Sequence, residues 1–244
     1  MDAFKLLKNL APQPLKNIVR RGLDGFGWDF WVNKSWSQEG EGIVLRRFFG
    51  NKENGFYVDV GAHHPKRFSN TYYFYRLGWF GINIDAMPGS MKLFKRWRPR
   101  DISLEVGIAA QRGVLDYYVF NEPALNGFSK RLSENRNASD GPYRIKEVIQ
   151  VQVVPLREIM RQYAGGRKID FMSVDVEGLD LDVLKSNDWE KYRPKIVLAE
   201  VLGKDLDELN QGPVAQYMKS QGYSIFAKQV NTVFFIDKAN MEAT

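Results

Sequence analysis

The sequence predicts an α/β domain with a mostly parallel β-sheet, helices on both faces and an antiparallel hairpin at its carboxyl end. From residue 56 onward, short apolar runs alternate with stretches of helical periodicity, the pattern of parallel strands joined by crossover helices. The last two apolar runs are separated by a polar segment too short for such a helix. Those two strands should therefore pair antiparallel.

The individual elements follow from the spacing of apolar residues. Strand-like runs, rich in β-branched and aromatic residues, occupy residues 56–60, 80–84, 102–106, 114–120, 169–174, 195–201, 223–227 and 232–236. Helical spacing occupies residues 39–50, 70–78, 88–96, 155–164, 179–186 and 205–220. Residues 121–147 are polar and rich in turn-forming dipeptides, and we predict a long loop or lid there.

The first 50 residues differ from the rest, and we predict a helical amino-terminal extension or cap on a domain that spans residues 51–244. Apolar and basic residues recur at helical spacing in residues 4–10 and 15–21, with Pro12 and Pro14 between them. Two interpretations stay open. The helices contact an anionic membrane surface or another subunit, or they cover the edge of the core.

Composition narrows the classes of function. The 244 residues suffice for one well-buried domain, and the sequence holds no apolar run of the roughly 20 residues that a membrane span requires. The absence of cysteine excludes disulfides, thiolate metal sites and a cysteine nucleophile. No secretory signal is apparent, so we expect a soluble, cytoplasmic protein, peripheral at the inner face of the membrane if residues 1–21 contact lipid. The net charge of +6 is too small to indicate nucleic-acid binding.

A glycine turn and a later carboxylate indicate a nucleotide-type ligand. The first predicted strand opens into a turn at Gly61, and the second ends on Asp85. The glycine lets the backbone approach a ligand closely, and the carboxylate can accept hydrogen bonds from both hydroxyls of a ribose. The turn lacks the further glycines of a dinucleotide-binding turn, and Pro65 removes a backbone donor for phosphate. A ligand with ribose and base but no phosphate, such as S-adenosylmethionine, fits better.

The chain resembles the FkbM family of S-adenosylmethionine-dependent O-methyltransferases in five segments. These segments are residues 56–65, 81–86, 106–109, 169–178 and 195–200. The similarity covers most of residues 37–236, and its most specific part is the run from Ile169 to Gly178 with the helix that follows. Asp180 departs from the family pattern, where glutamate is more frequent, but it keeps a carboxylate. The resemblance implies a class I, Rossmann-like methyltransferase fold.

The resemblance also implies where the cofactor lies. The first glycine turn would lie beside its methionine part, Asp85 would hold the ribose, and Gly107 with Ile108 would border the adenine. Ser69 and Asn70 supply side-chain donors that either reach the cofactor carboxylate or cap the following helix. The expected cofactor-binding residues are Asp59, Gly61, Ala62, His63, Ser69, Asn70, Asp85, Ala86, Gly107, Ile108 and Asp175.

Methyl transfer to a hydroxyl needs a group that takes the proton of the acceptor oxygen. Asp175 and Glu200 end two predicted strands, where ligands of open α/β sheets bind, and Asp175, Glu177 and His63 are our candidates for catalysis. Asp175 and Glu200 are also a candidate Mg²⁺ site, with two hydroxyls of the acceptor completing the oxygen shell. A helix cap or salt bridge explains Glu177 equally well, and His63 has an alternative as a structural histidine.

The resemblance implies O-methylation of a hydroxyl, on a sugar of a glycan, glycolipid or glycosylated natural product. The alternatives are an RNA or protein methyltransferase, a non-catalytic cofactor-binding scaffold and, ranked last, a nicotinamide-dependent oxidoreductase. Lid residues that suit a hydroxyl-rich or phosphorylated acceptor are Asn126, Ser129, Lys130, Arg131 and Arg136. Residues 98–101, with two arginines and an aspartate, either attract an anionic substrate or form a solvated turn. A homo-oligomer is an open alternative to a monomer.

Overall fold

The computed structural model describes residues 12, 33–50, 52–203 and 205–239. The chain divides into two compact units, residues 1–34 and 35–244, and the second unit holds the sheet and the cavity described below. The predicted amphipathic helices at residues 4–10 and 15–21 lie outside the described residues. Among the described residues, no helix is both long enough and apolar enough to cross a membrane.

In chain order the elements of the described residues are α1 (Glu41–Phe49), β1 (Phe56–Val60), α2 (Tyr72–Arg76), β2 (Phe80–Asp85), α3 (Met91–Trp97), β3 (Ile102–Glu105), β4 (Gly107–Ile108), β5 (Gly113–Phe120), a 3₁₀ turn (Pro123–Leu125), α4 (Lys130–Ala138), β6 (Ile145–Val154), α5 (Leu156–Tyr163), β7 (Phe171–Val174), α6 (Asp180–Lys185), β8 (Ile196–Glu200), α7 (Leu206–Gln211), α8 (Pro213–Ser220), β9 (Tyr223–Gln229) and β10 (Thr232–Asp237).

A seven-stranded sheet runs in the order β3-β2-β1-β7-β8-β10-β9. The pairs from β3 to β8 are parallel, whereas β10 pairs antiparallel with both β8 and β9. The predicted class I, Rossmann-like fold, with its antiparallel final hairpin, is confirmed. The strand order reverses between β1 and β7, and ligands of open α/β sheets bind beside such a reversal, at the carboxyl ends of the strands.

Side chains of β1 alternate between two cores because successive residues of a strand point to opposite faces. Phe56, Val58 and Val60 join the larger apolar cluster, which also contains residues of α5, α6 and α8. Tyr57 joins a second cluster on the other face, with residues of α1 and α2. All five residues of β1 are buried, as expected for a strand covered by helices on both sides.

Three elements differ from the sequence prediction. Residues 145–154 form β6, which pairs with β4 and β5 in a separate three-stranded sheet. The alternation of apolar and polar residues from Ile149 to Val153 is typical of a strand. Within the predicted loop 121–147, residues 130–138 form α4, whose first turn is capped by the Ser129 hydroxyl accepting from Leu132 N. The helix predicted for residues 205–220 is two helices, because Gly212 and Pro213 end one and begin the next.

Residues 98–101 differ in part from both sequence interpretations. Pro99 and Arg100 form an exposed turn, but neither the side chain of Arg98 nor that of Asp101 is exposed at all. Arg98 Nε lies 2.7 Å from Asp101, and Arg98 Nη2 donates to the Tyr57 hydroxyl at 2.8 Å. Asp101 also accepts from Gly81 N at 2.9 Å and from the Asn83 amide at 2.8 Å. The two residues therefore form a buried polar network beneath β1 and β2.

Candidate active site

A cavity of about 310 Å³ opens at the carboxyl ends of β1, β2, β7 and β8. It lies at the reversal of strand order, the position expected for the ligand of such a sheet. Nine of the predicted catalytic, cofactor-binding and metal-binding residues line it: Gly61, His63, Asp85, Ala86, Gly107, Ile108, Asp175, Glu177 and Glu200.

The turn after β1 requires glycine. Gly61 has φ +86°, and a Cβ built there would lie 1.7 Å from the backbone oxygen of Asp175. An L side chain is disfavoured by this conformation and would collide with the neighbouring strand end. Gly61 thus brings the ends of β1 and β7 together at the cavity wall.

Asp85, at the end of β2, is a buried acceptor with spare capacity. Its two carboxylate oxygens accept from His63 N and from Met87 N, both at 2.9 Å. Burial raises the pKa of Asp85, and these backbone donors partly offset that effect. Because a carboxylate has about four lone-pair sites, further hydrogen bonds from a ligand are available.

Three carboxylates converge at the other side of the cavity. Asp175, Glu177 and Glu200 each offer one oxygen, and these oxygens lie within 4.8 Å of one another. Asp175 lines the cavity and is accessible there, although protein atoms crowd its carboxylate. Burial, followed by repulsion from Glu200 and Glu177, raises the pKa of Asp175 well above its ordinary value. Burial and the nearby Glu177 likewise raise the pKa of Glu200 to about 8.

The backbone and two neighbours hold this acidic group in position. Glu177 has φ +54°, a left-handed conformation that is uncommon for a residue other than glycine. Its Oε2 lies 2.6 Å from Nη1 of Arg136, which α4 carries over the cavity. Asp180 Oδ1 accepts from Glu200 N at 3.2 Å and so ties the start of α6 to the end of β8. Burial raises the pKa of Asp180 to about 7.

His63 faces the cavity from the glycine turn with φ +49°. Its Nε2 is buried and has no hydrogen-bond partner among the described residues. Burial, reinforced by the positive charge of Arg67, lowers the pKa of His63. His63 therefore presents a neutral imidazole with one free polar atom.

Four residues of the predicted cofactor set do not line the cavity. Asp59 is buried and accepts from the Thr71 hydroxyl at 2.9 Å, and Ala62 packs against α3. Ser69 Oγ accepts at 3.0 Å from the N–H of Tyr72, the first residue of α2, and the Asn70 amide donates to the Ser173 hydroxyl at 3.0 Å. Any contact of these four with the cofactor stays a prediction.

The segment 121–147 supplies part of the cavity wall. Asn126 and Arg136, two of the residues singled out in it, line the cavity. Ser129, Lys130 and Arg131 do not line it; Ser129 caps α4, and the other two are exposed. The sequence patterns did not single out Tyr117, Phe128 and Asn231, which also line the cavity. These residues lie on β5, before α4 and in the final hairpin, and no local motif links them to the glycine turn.

The sequence from residue 59 to residue 225 matches the model of the methyltransferase FkbM domain. The chain belongs to the FkbM methyltransferase family. Proteins of this family are S-adenosylmethionine-dependent, so the chain is an S-adenosylmethionine-dependent methyltransferase. Among the curated proteins, none matches the sequence.

Several solved methyltransferase structures are similar to this FkbM methyltransferase. A methyltransferase from Geobacter sulfurreducens is 12% identical, with 97% of this chain and 96% of that chain covered and a TM-score of 0.44. The 1,6-didemethyltoxoflavin-N1-methyltransferase from Burkholderia thailandensis is 12% identical, with 92% and 88% covered and a TM-score of 0.41. An O-methyltransferase from Bacillus cereus is 7% identical, with 95% and 96% covered and a TM-score of 0.38. These scores are low, and the fold assignment rests on the strand order.

The residues of the FkbM methyltransferase around the cavity fit its cofactor. The turn at Gly61 exposes backbone to the cavity, and Asp85 keeps lone pairs for ribose hydroxyls. The buried Nε2 of His63 lacks a partner within the described structure. A volume of about 310 Å³ suits a small-molecule site.

Proposed function

We propose that the protein methylates a hydroxyl oxygen of an acceptor, on a sugar of a glycan, glycolipid or glycosylated natural product. The observation that carries this proposal is the convergence of Asp175, Glu177 and Glu200 in the cavity that Asp85 and Gly61 also line. Carboxylates with raised pKa values are suited to accept a proton near neutral pH. A nucleophile that must lose a proton, such as a hydroxyl, fits this wall of the cavity.

In the proposed mechanism, Asp175 accepts the proton of the acceptor hydroxyl. Burial, followed by repulsion from Glu200 and Glu177, raises the pKa of Asp175, and Arg136 pairs with Glu177. Asp85 and the glycine turn orient the cofactor. S-adenosylmethionine supplies an electrophilic methyl group on a sulfonium when it is bound. His63, held neutral by burial, is the second candidate base.

An acceptor panel tests the proposal. The wild-type chain is incubated with S-adenosylmethionine and with methyl glycosides, phenols, amines, a peptide and an RNA oligonucleotide, and S-adenosylhomocysteine release is measured. We expect release with glycosides that carry neighbouring hydroxyls. Turnover on RNA or peptide alone would contradict the sugar proposal and leave the methyltransferase assignment intact.

Replacement of Asp85 with alanine should weaken cofactor binding. Charge-assisted hydrogen bonds each contribute about 1.5–3 kcal/mol, so we expect affinity for S-adenosylhomocysteine to fall about 10- to 150-fold. Calorimetry measures this affinity, and thermal unfolding checks the fold, because His63 N and Met87 N lose their acceptor. The exposed Asp207→Ala is the matched control. Unchanged affinity in a folded Asp85→Ala protein would refute the ribose contact.

We also propose that Asp175 and Glu200, joined by Glu177, bind Mg²⁺. Hard oxygen ligands suit this ion, and a cation would relieve the repulsion among the three carboxylates. Because the pKa of Glu200 is raised to about 8, protons compete with the metal, and affinity should rise about tenfold per pH unit between about pH 6 and pH 8. Calorimetric Mg²⁺ titration at both pH values measures this.

Glu200→Gln should abolish the Mg²⁺ heat, whereas the exposed Glu53→Gln should retain it. Absence of any Mg²⁺ heat in the wild-type chain, together with full activity in chelator, would remove the metal from the proposal. Proton acceptance by Asp175 would then stand alone.

A further inference from the structure

Helix α3 carries two large apolar side chains on its outer face. Its inner face packs through Met91 and Phe94, which are buried. Leu93 and Trp97 are 43% and 48% exposed, and their four-residue spacing makes them neighbours on the helix surface. Adjacent exposed apolar groups on one helix face indicate a contact surface.

The charged residues that flank Leu93 and Trp97 along the chain have a single sign. Residues 86–100 contain five basic residues and no acidic residue. Lys92, Lys95 and Arg96 are exposed. None of the three forms a salt bridge within the described parts of the chain. Their charges are therefore available to an anionic partner. We call Lys66, Lys92, Leu93, Lys95, Arg96 and Trp97 the α3 surface.

The α3 surface continues to the cavity. Lys66 Nζ lies 3.4 Å from the centroid of the Trp97 ring, which joins α3 to the loop after the glycine turn. In that loop, the Arg67 guanidinium lies 4.2 Å above the exposed ring of Phe68. Arg67 and Phe68 both line the cavity. Arg67 Nη1 is paired with Glu122 Oε1 at 3.0 Å, and Glu122 also lines the cavity. The apolar character therefore extends from α3 to the cavity mouth, whereas the positive charge that no carboxylate of the described residues neutralises stays on α3.

We propose that the α3 surface docks the enzyme on a membrane that contains anionic lipids. Tryptophan and leucine side chains partition into the boundary between headgroups and acyl chains, and lysine and arginine are attracted to the negative surface. Single-stranded RNA is disfavoured, because Lys66 covers one face of Trp97 and Leu93 cannot stack on a base. Docking would hold the cavity mouth near lipid headgroups. This surface differs from residues 1–21, for which lipid contact stays a separate prediction.

Vesicle co-sedimentation of the full chain tests the proposal. We expect binding to vesicles of phosphatidylcholine with phosphatidylglycerol, and little binding to phosphatidylcholine alone. We expect Leu93→Ser/Trp97→Ser to lower the partition coefficient about tenfold, because it removes the apolar groups that enter the headgroup boundary. Lys92→Glu/Lys95→Glu should lower it at least about thirtyfold, since each lost surface cation contributes about 1 kcal/mol. Affinity for S-adenosylhomocysteine should stay unchanged in both, which separates lost docking from misfolding and from failure of the cofactor assignment.

Two controls match these changes elsewhere on the surface. Leu206→Ser removes a side chain that is 65% exposed, and Lys146→Glu/Lys168→Glu makes the same change in net charge at exposed positions. Both controls should bind vesicles like the wild-type chain. Wild-type failure to bind anionic vesicles, unchanged binding by the α3 variants, or equal loss in the controls would each overturn the proposal. So would binding of the α3 surface to RNA without binding to vesicles.

Discussion

Asp175→Asn is expected to lower the rate of methyl transfer about a thousandfold. Proton acceptance by a positioned side chain contributes about 10²- to 10⁴-fold, and an amide cannot accept the acceptor's proton. Asparagine has nearly the size of aspartate. It replaces a carboxyl whose charged form is already disfavoured by burial and by two neighbouring acids. The fold should therefore be retained. The rate of S-adenosylhomocysteine release with the acceptor found in the panel measures the effect.

The exposed Asp207→Asn makes the same chemical change away from the cavity and should leave the rate unchanged. Calorimetry with S-adenosylhomocysteine should show less than about a tenfold loss of affinity in Asp175→Asn, because the proposed proton transfer is a property of the transition state. A rate within a few-fold of wild type would exclude Asp175 as the base. His63→Gln would then become the informative variant.

Arg98→Met is expected to lower the free energy of unfolding by about 3–5 kcal/mol, as breaking a buried ion pair commonly does. The guanidinium is fully buried and neutralises Asp101, whose side chain is also fully buried. It also lowers the pKa of Asp59, which burial raises to about 6. Methionine fills part of the volume but leaves Asp101 without its counter-charge and the Tyr57 hydroxyl without one donor.

Urea unfolding near neutral pH measures this loss. Arg96→Met, on the exposed face of α3 two residues before Arg98, should change stability by less than about 0.5 kcal/mol. A loss below about 1 kcal/mol in Arg98→Met would mean that the buried network is not a principal stabilising element. Tyr57 and Asp59 lie on β1, which leads into the glycine turn. We therefore also expect Arg98→Met to bind the cofactor more weakly at urea concentrations close to its unfolding transition.

Local patterns predicted much of the sheet and of the cavity lining. The strands β1, β2 and β7 are short apolar runs buried on both faces, so their composition alone identifies them. Gly61 and Asp85 stand at the ends of such runs, and the topology of open α/β sheets places such ends at the ligand site. Both residues line the cavity.

Other features of the structure could not be predicted from local sequence patterns. Arg98 and Asp101 are charged residues in a turn-like context, and their burial depends on Tyr57 and Asn83 from two other strands. The helix α4 contains Leu132 as its only large apolar residue, so amphipathic spacing gave no signal, although Ser129 marked its start. The reach of Arg136 to Glu177 depends on the path of this helix.

The amino-acid order alone determined the α/β class, the antiparallel ending, the glycine turn and the presence of carboxylates at strand ends, because each depends on residues close together in the chain. Only the tertiary structure decided which of these groups meet. Asp175, Glu177 and Glu200 lie within 4.8 Å because β7 and β8 are adjacent and parallel, so that their carboxyl ends share one edge. Their shared burial and repulsion, and hence their raised pKa values, depend on this proximity and cannot be read from any one residue alone.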